Sequence, residues 1–133
     1  MHVGVLGGTG PAGRGLGARL ASVGVTVTIG SRSRDRAEET CRTLLAAWPG
    51  HRLDVRAGDN ETAAAADVVV VATPWDAAVP TVASVEPCLG GKVVISMANA
   101  IARIGKEFEP LVPPRGSVAA AVQAVAPRSM VAA

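Results

Sequence analysis

Apolar and polar positions change period along the chain. His2-Val3-Gly4-Val5-Leu6 is a short apolar run entering glycines, which predicts a first strand over His2–Leu6. Over 12–23 the period becomes helical: Ala12, Leu16, Leu20 and Val23 make one apolar stripe, and Gly24 ends it as a C-terminal cap. Val25–Ile29 reads as the second strand. Ser33 is a good N-cap for a second helix with an inner face of Ala37, Cys41, Leu44, Leu45 and Trp48, stopped by Pro49-Gly50. Leu53–Ala57 predicts the third strand, and Asp59 or Asn60 caps a short helix through Ala66.

The second half continues the alternation. Val68–Ala72 is a run of β-branched residues, as expected for a strand buried on both faces. Pro74 introduces a helix over Trp75–Val85. Gly90-Gly91 turns the chain into a fifth strand, Lys92–Ser96. Residues 97–116 carry a mixed signal, read as a short helical piece near Ala100–Lys106 and then a loop with Pro110, Pro113 and Pro114. Ser117 caps a helix over Val118–Val125, Pro127 ends it, and Met130–Ala132 predicts a sixth strand. Strands alternating with helices predict an α/β fold: a doubly wound parallel sheet of the Rossmann NAD(P)-binding type, one domain over 1–133, cut short after its sixth strand.

Composition narrows the class. With 49% hydrophobic and 18% charged residues the chain reads as an ordinary globular protein. A net charge of +2 with no basic block argues against nucleic acid and anionic membrane as partners. Apolar stretches are too short for the roughly 20 residues of a membrane span, and strand-like sequence from His2 leaves no room for a signal peptide. Cys41 and Cys88 lack metal-ligand spacing and read as free thiols, small apolar filler in a reducing compartment, which places the protein in the cytoplasm. No metal site is expected.

The candidate chemistry lies between the first two strands. Gly8-Thr9-Gly10-Pro11-Ala12-Gly13 satisfies G-x-G-x-x-G, and Gly7, Gly10 and Gly13 satisfy G-x-x-G-x-x-G. Glycines there allow a tight turn and close backbone approach, and free N–H groups at the helix start face a pyrophosphate. The strand before it and the helix after it are the confirming context. A P-loop needs Lys and Ser/Thr after the last glycine; Arg14 and Gly15 stand there instead.

The second strand ends in Gly30-Ser31-Arg32, followed by Arg34 and Arg36. An NAD site places a carboxylate at that position, which would repel a 2′-phosphate. A guanidinium binds the phosphate with fork geometry and a serine hydroxyl adds a bond, so NADP(H) is the expected cofactor. Arg34 reads as a solvated helix residue. At the ends of the fourth and fifth strands, Thr73 and Asn99 can hydrogen-bond near the nicotinamide side, while Trp75 reads as helix–sheet packing. His2 and His51 sit at strand starts, the wrong edge for chemistry, and read as surface residues.

Gly-Gly-Thr-Gly at 7–10, Gly-Ser-Arg at 30–32, Asp59-Asn60, Ala-Thr-Pro-Trp at 72–75 and Ser96 together resemble the NADPH-dependent F420 reductases over essentially the whole chain. The resemblance implies that Thr9, Gly10, Pro11 and Ala12 hold the pyrophosphate, within the turn that Gly8 and Gly13 complete. It implies that Ser31, Arg32 and Arg36 hold the 2′-phosphate, and that the cofactor pocket continues at Thr73, Ala77 and Asn99. Coenzyme F420 is the implied co-substrate, with direct hydride transfer between its C5 and C4 of the nicotinamide. Both rings carry that chemistry, so no catalytic side chain is expected. The family continues past the position of Ala133 into a region that helps form the deazaflavin pocket and is implied to build a homodimer. The expectation for these 133 residues is therefore NADPH binding with little turnover.

Other classes remain open. A short-chain-type reductase needs a Tyr and Lys pair, and the chain has no Tyr. A non-catalytic NADP(H)-binding module or redox sensor would need only the cofactor half. Another NADP-dependent reductase, acting on an imine or hydroxyacid, would need a catalytic Lys outside these residues.

Overall fold

A computed structural model describes residues 1–133. In chain order the elements are β1 (His2–Leu6), α1 (Pro11–Ser22), β2 (Thr26–Ser31), α2 (Arg34–Ala47), β3 (Val55–Asp59), α3 (Asn60–Ala64), β4 (Val68–Val71), α4 (Trp75–Val85), β5 (Val93–Ser96), β6 (Ile101–Ile104), β7 (Glu107–Pro110), α5 (Val118–Val125) and β8 (Met130–Ala132). Six strands form one parallel sheet in the order β3-β2-β1-β4-β5-β8. This is the doubly wound order in which the chain reverses direction beside β1, opening a crevice at the carboxyl ends of the strands.

Alternation within strands builds two cores. Val3, Val5, Val27, Ile29 and Val70 pack with Ala37 and Cys41 of α2 on one face. Leu6, Val69, Val71 and Val94 pack with Val82 of α4 and Val122 of α5 on the other. Successive valines of β4 thus serve opposite cores, which is why that run carries no polar position.

The inward face of α1 differs from the expected stripe. Its buried residues are Gly13, Gly17, Ala18 and Ala21, while Val23 is 63% exposed. The helix lies too close for larger side chains: a Cβ on Gly17 would sit 2.8 Å from Cδ1 of Ile29. Leu16 and Leu20 are displaced to the half-buried flanks. In α2 the face is rotated in the same way, with Thr40 buried in place of Leu45 and its hydroxyl donating to the Arg36 carbonyl at 2.8 Å. The short helix α3 presses closest of all. A Cβ on Gly4 would fall 1.8 Å from the Ala63 carbonyl oxygen, so β1 accepts no side chain there.

The helical piece expected near Ala100–Lys106 is instead a hairpin. β6 pairs antiparallel with β7, Arg103 opposite Phe108 and Ile104 opposite Glu107, and Gly105 opens the two-residue turn at φ +63°. A Gly at the first turn position is the hairpin signal the spacing of apolar residues hid. β2 runs two residues further than its apolar pattern, through Ser31, and β3 starts at Val55 rather than Leu53. No helix is long and apolar enough to cross a membrane.

Candidate dinucleotide-binding groove

β1 ends at Leu6 and the chain turns through Gly7 at φ +65°, a backbone region that costs other residues dearly. The Gly8 amide donates to the Gly30 carbonyl at 2.9 Å, tying the turn to the end of β2. A Cβ on Gly13 would lie 2.6 Å from the Cα of Gly8, so only glycine lets α1 start this close. Gly10 is the N-cap of α1 and contributes no capping side chain, and Pro11 takes the first helical position. The first-turn amides of Ala12 and Gly13 therefore have no intrahelical acceptor and are available to an anion.

A second set of groups stands across the groove. Ser31 is buried at the end of β2 and its Oγ accepts from the Ser33 amide at 3.2 Å. Ser33 in turn caps α2, accepting from the Arg36 amide at 3.4 Å. The guanidiniums of Arg32 and Arg36 make no ion pair and donate to no protein group, whereas Arg34 between them is paired with Glu38 at 3.3 Å. Two free cations thus flank one paired cation, and the free ones face the groove.

The groove measures about 760 Å³ and is lined by Gly7, Thr9 and Gly10 of the turn, Ser31–Ser33 and Arg36 of the cradle, Asn60, and Ala72–Pro74. Its far wall is one face of α4: Ala77, Pro80, Thr81 and Ser84. Two observations show room and chemistry for a nucleotide. A Cβ on Gly10 would meet nothing nearer than the Gly7 carbonyl at 3.8 Å, and the Thr73 hydroxyl in the wall is buried with no partner. A buried hydroxyl without a partner is costly until a ligand supplies one.

Thr9, Gly10, Ser31, Arg32, Arg36, Thr73 and Ala77 are brought together in this groove. Gly8, Pro11, Ala12 and Gly13 do not line it: Gly8 and Gly13 are buried in the turn, and Pro11 and Ala12 are exposed at the start of α1. Asn99 does not join the walls: it is exposed beyond β5 and its Nδ2 donates to the Met97 carbonyl at 3.3 Å. Sequence reasoning assigned no site role from the residues alone to Asn60, Ser33, Thr81 or Ser84. Ala77, Thr81 and Ser84 share helical spacing, which was the available signal; Asn60 reaches the groove only through tertiary packing.

Neighbouring groups have other roles. Asp59 caps α3, and its hydrogen bonds with Thr62, the side chain's first, hold its carboxyl below the ordinary value; the Thr62 amide lies at 2.7 Å. Trp75 is 36% exposed, which corrects its expected packing between helix and sheet: it lies at the carboxyl edge, one turn before the first inward residue, Ala78. His51 is exposed, edge-on to Trp48 at 5.1 Å. His2, expected at the surface, is half-buried because its Nε2 shares a 2.8 Å hydrogen bond with the Thr28 hydroxyl. Burial, and then the charge of Glu38, push the Cys41 thiol upward; both cysteines are free.

Comparisons with known proteins give the chain's family and fold relatives. Residues 2–100 match the family described as NADP oxidoreductase, coenzyme F420-dependent. An F420-dependent NADP reductase from Methanocaldococcus jannaschii is 37% identical over 98% of this chain, which spans 60% of that protein. Its counterpart from Methanothermobacter marburgensis is 38% identical over 71% of the chain, which spans 43% of it. A solved structure from Arthrobacter sp. FB24, provisionally described as an F420-dependent NADP reductase, superposes with a TM-score of 0.77 at 26% identity, covering 97% of this chain and 60% of that one. The glycine turn, the Ser31–Arg36 cradle and five of the six strands of the parallel sheet fall within the residues that the family matches, and the chain belongs to the coenzyme F420-dependent NADP oxidoreductase family.

Proposed function

We propose that this chain is the NADP-binding Rossmann domain, over residues 1–133, of an enzyme that transfers a hydride between reduced coenzyme F420 and NADP. The observation that carries the reading is the pair of unpaired guanidiniums, Arg32 and Arg36, beside the buried Ser31 at the end of β2. No carboxylate lines the groove. Arginine forks bind a phosphate dianion with charge-assisted hydrogen bonds roughly twice as strong as neutral ones, whereas two unadorned ribose hydroxyls gain far less.

Thr9, Gly10, Pro11 and Ala12 form the pyrophosphate turn, with Gly8 and Gly13 giving it its shape, and the first-turn amides of α1 donate to the phosphate oxygens. Ser31, Arg32 and Arg36 take the 2′-phosphate. Thr73 offers its unpartnered hydroxyl further along the groove, Ala77 provides a small wall residue, and Asn99 stands at the loop beyond β5 on the nicotinamide side. When bound, the nicotinamide and deazaflavin rings supply the hydride chemistry themselves. The only ionisable groups lining the groove are arginines, so the chain's part is to bind, orient and exclude water. Family membership supports F420 as co-substrate, and a homodimer belongs to the same proposal; the free thiols fit a reducing cytoplasm, and the small net charge fits small-molecule rather than nucleic-acid partners.

Calorimetry with NADPH and NADH tests the cofactor. A preference for NADPH of about tenfold or more is expected from hydrogen bonds to a charged phosphate; equal affinities would overturn it. Absorbance of the deazaflavin, followed with F420 and NADPH, tests the reaction. Turnover supports hydride transfer; for residues 1–133 alone, which span 60% of the Methanocaldococcus relative, NADPH binding with little turnover is the expected result, and binding without turnover points to a binding module only for a chain of that relative's full length.

A further inference from the structure

We infer that Asn60 is a positioning residue that sets the pyrophosphate turn against the 2′-phosphate cradle, an inference that rests on reading the groove as an NADP(H) site. Asn60 begins α3, far from both motifs in sequence, yet its Oδ1 accepts the Gly7 amide at 3.1 Å across 53 residues. Gly7 is the residue whose left-handed backbone starts the turn, and its amide is one of the donors a close-packed turn must satisfy. The same Oδ1 lies 3.0 Å from where a Cβ on Gly30 would stand. Gly30 is the residue whose carbonyl takes the Gly8 amide at 2.9 Å. Consecutive amides of the turn are thus held by β2 directly and by Asn60.

Asn60 is itself referenced to the cradle. It follows Asp59, which stands opposite Ser31 in the β2–β3 register, and its backbone is fixed by the close packing of α3 on β1 and β2. The 2′-phosphate and pyrophosphate of one rigid ligand must be met at the same time, so the spacing between cradle and turn matters as much as either set of donors. With Asn60 removed, the cradle keeps its own hydrogen bonds from Ser33 to Ser31 and from Arg36 to Ser33, while the Gly7 amide loses its partner.

The experiment compares two ligands on two variants. NADPH spans cradle and turn; adenosine 2′-monophosphate engages the cradle but carries no pyrophosphate. For Asn60→Ala, NADPH affinity falls roughly five- to tenfold, the effect of leaving one enclosed donor unpaired, while 2′-monophosphate affinity stays within about twofold. Amide exchange at Gly7, measured without ligand, speeds up in Asn60→Ala and stays slow in Asn60→Asp, which keeps the acceptor. Equal losses for both ligands, no loss of NADPH affinity, or an unchanged Gly7 amide in Asn60→Ala each overturn the inference. Wild-type protein that binds neither ligand sinks the NADP reading and the inference together; wild-type binding with an unaffected variant sinks the inference alone.

Discussion

The carboxyl ends of β2 and β5 lie on one edge of the same sheet and could hardly differ more. At β2 the chain turns through Ser31, Ser33 and Arg36, each side chain or amide held by the next, and faces the groove with two free guanidiniums. At β5, Ser96 is buried with its hydroxyl unpartnered, and Met97 and Asn99 are exposed outside the groove. The hairpin that follows stands apart as its own two-stranded sheet, with Ile101, Ile104 and Phe108 about half exposed or more. One end holds its backbone and serines in a hydrogen-bonded chain and lines the groove; the other leaves its polar groups without a finished set of partners. The serines at the β2 end are fixed by these hydrogen bonds, whereas the two exposed guanidiniums lose their rotamer freedom only on binding.

The largest expected effect comes from the backbone beneath the β2 end. Gly4→Ala drives a Cβ into the Ala63 carbonyl and should cost roughly 3 kcal/mol or more in urea unfolding, taking nucleotide binding with it. A near-neutral result would show that α3 can move, and the contrast in rigidity would collapse. Next is Arg32→Ala, expected to weaken NADPH binding by about ten- to a hundredfold and NADH binding by no more than about twofold, read by calorimetry. Equal losses for the two cofactors would remove the phosphate from the β2 end.

Smaller still is Asp59→Ala at the cap of α3. The Asp59 carboxyl titrates below its ordinary 3.8 through its hydrogen bonds with Thr62. A lowered folded value stabilises the protein above the unfolded value and is lost as pH falls through the folded one. The variant should therefore unfold at lower urea than wild type near neutral pH, with the gap closing as pH falls below the ordinary 3.8 and through the lowered folded value. A gap that persists in acid would mean that the cap's charge is not its contribution. Asn99→Ala should do least, shifting NADPH affinity by less than about threefold, the loss of one exposed contact. A larger shift would bring the β5 end into the binding site.

Legibility followed the range of the interactions. β1, α4 and β8 were readable to the residue because a glycine, a proline or a cap adjoins each apolar run. The turn and the Ser31–Arg36 cradle were readable because their donors lie within a few residues of one another. The face of α1 was not, since a stripe of leucines outweighs glycines on paper, while in space the glycines decide how near the helix comes. The hairpin was hidden because Ile101 and Ile104 stand three apart, as on a helix, and the Gly105-Lys106 turn carried the contrary signal. Asn60 could be placed only once α3 was packed, because the bond that matters crosses 53 residues.

The central position of β1 also bears on how the chain reaches this state. Its partners on either side are residues 26–29 and 68–71, so no neighbour of the first strand is available locally. The β1–β4 ladder closes a loop of about sixty residues, an entropic cost that falls before any of its hydrogen bonds forms. Such non-local parallel pairing slows folding and leaves strand edges open meanwhile. On a chain emerging from the ribosome, β1, α1 and β2 can associate early, but the centre of the sheet stays unzipped until Val71 has been made.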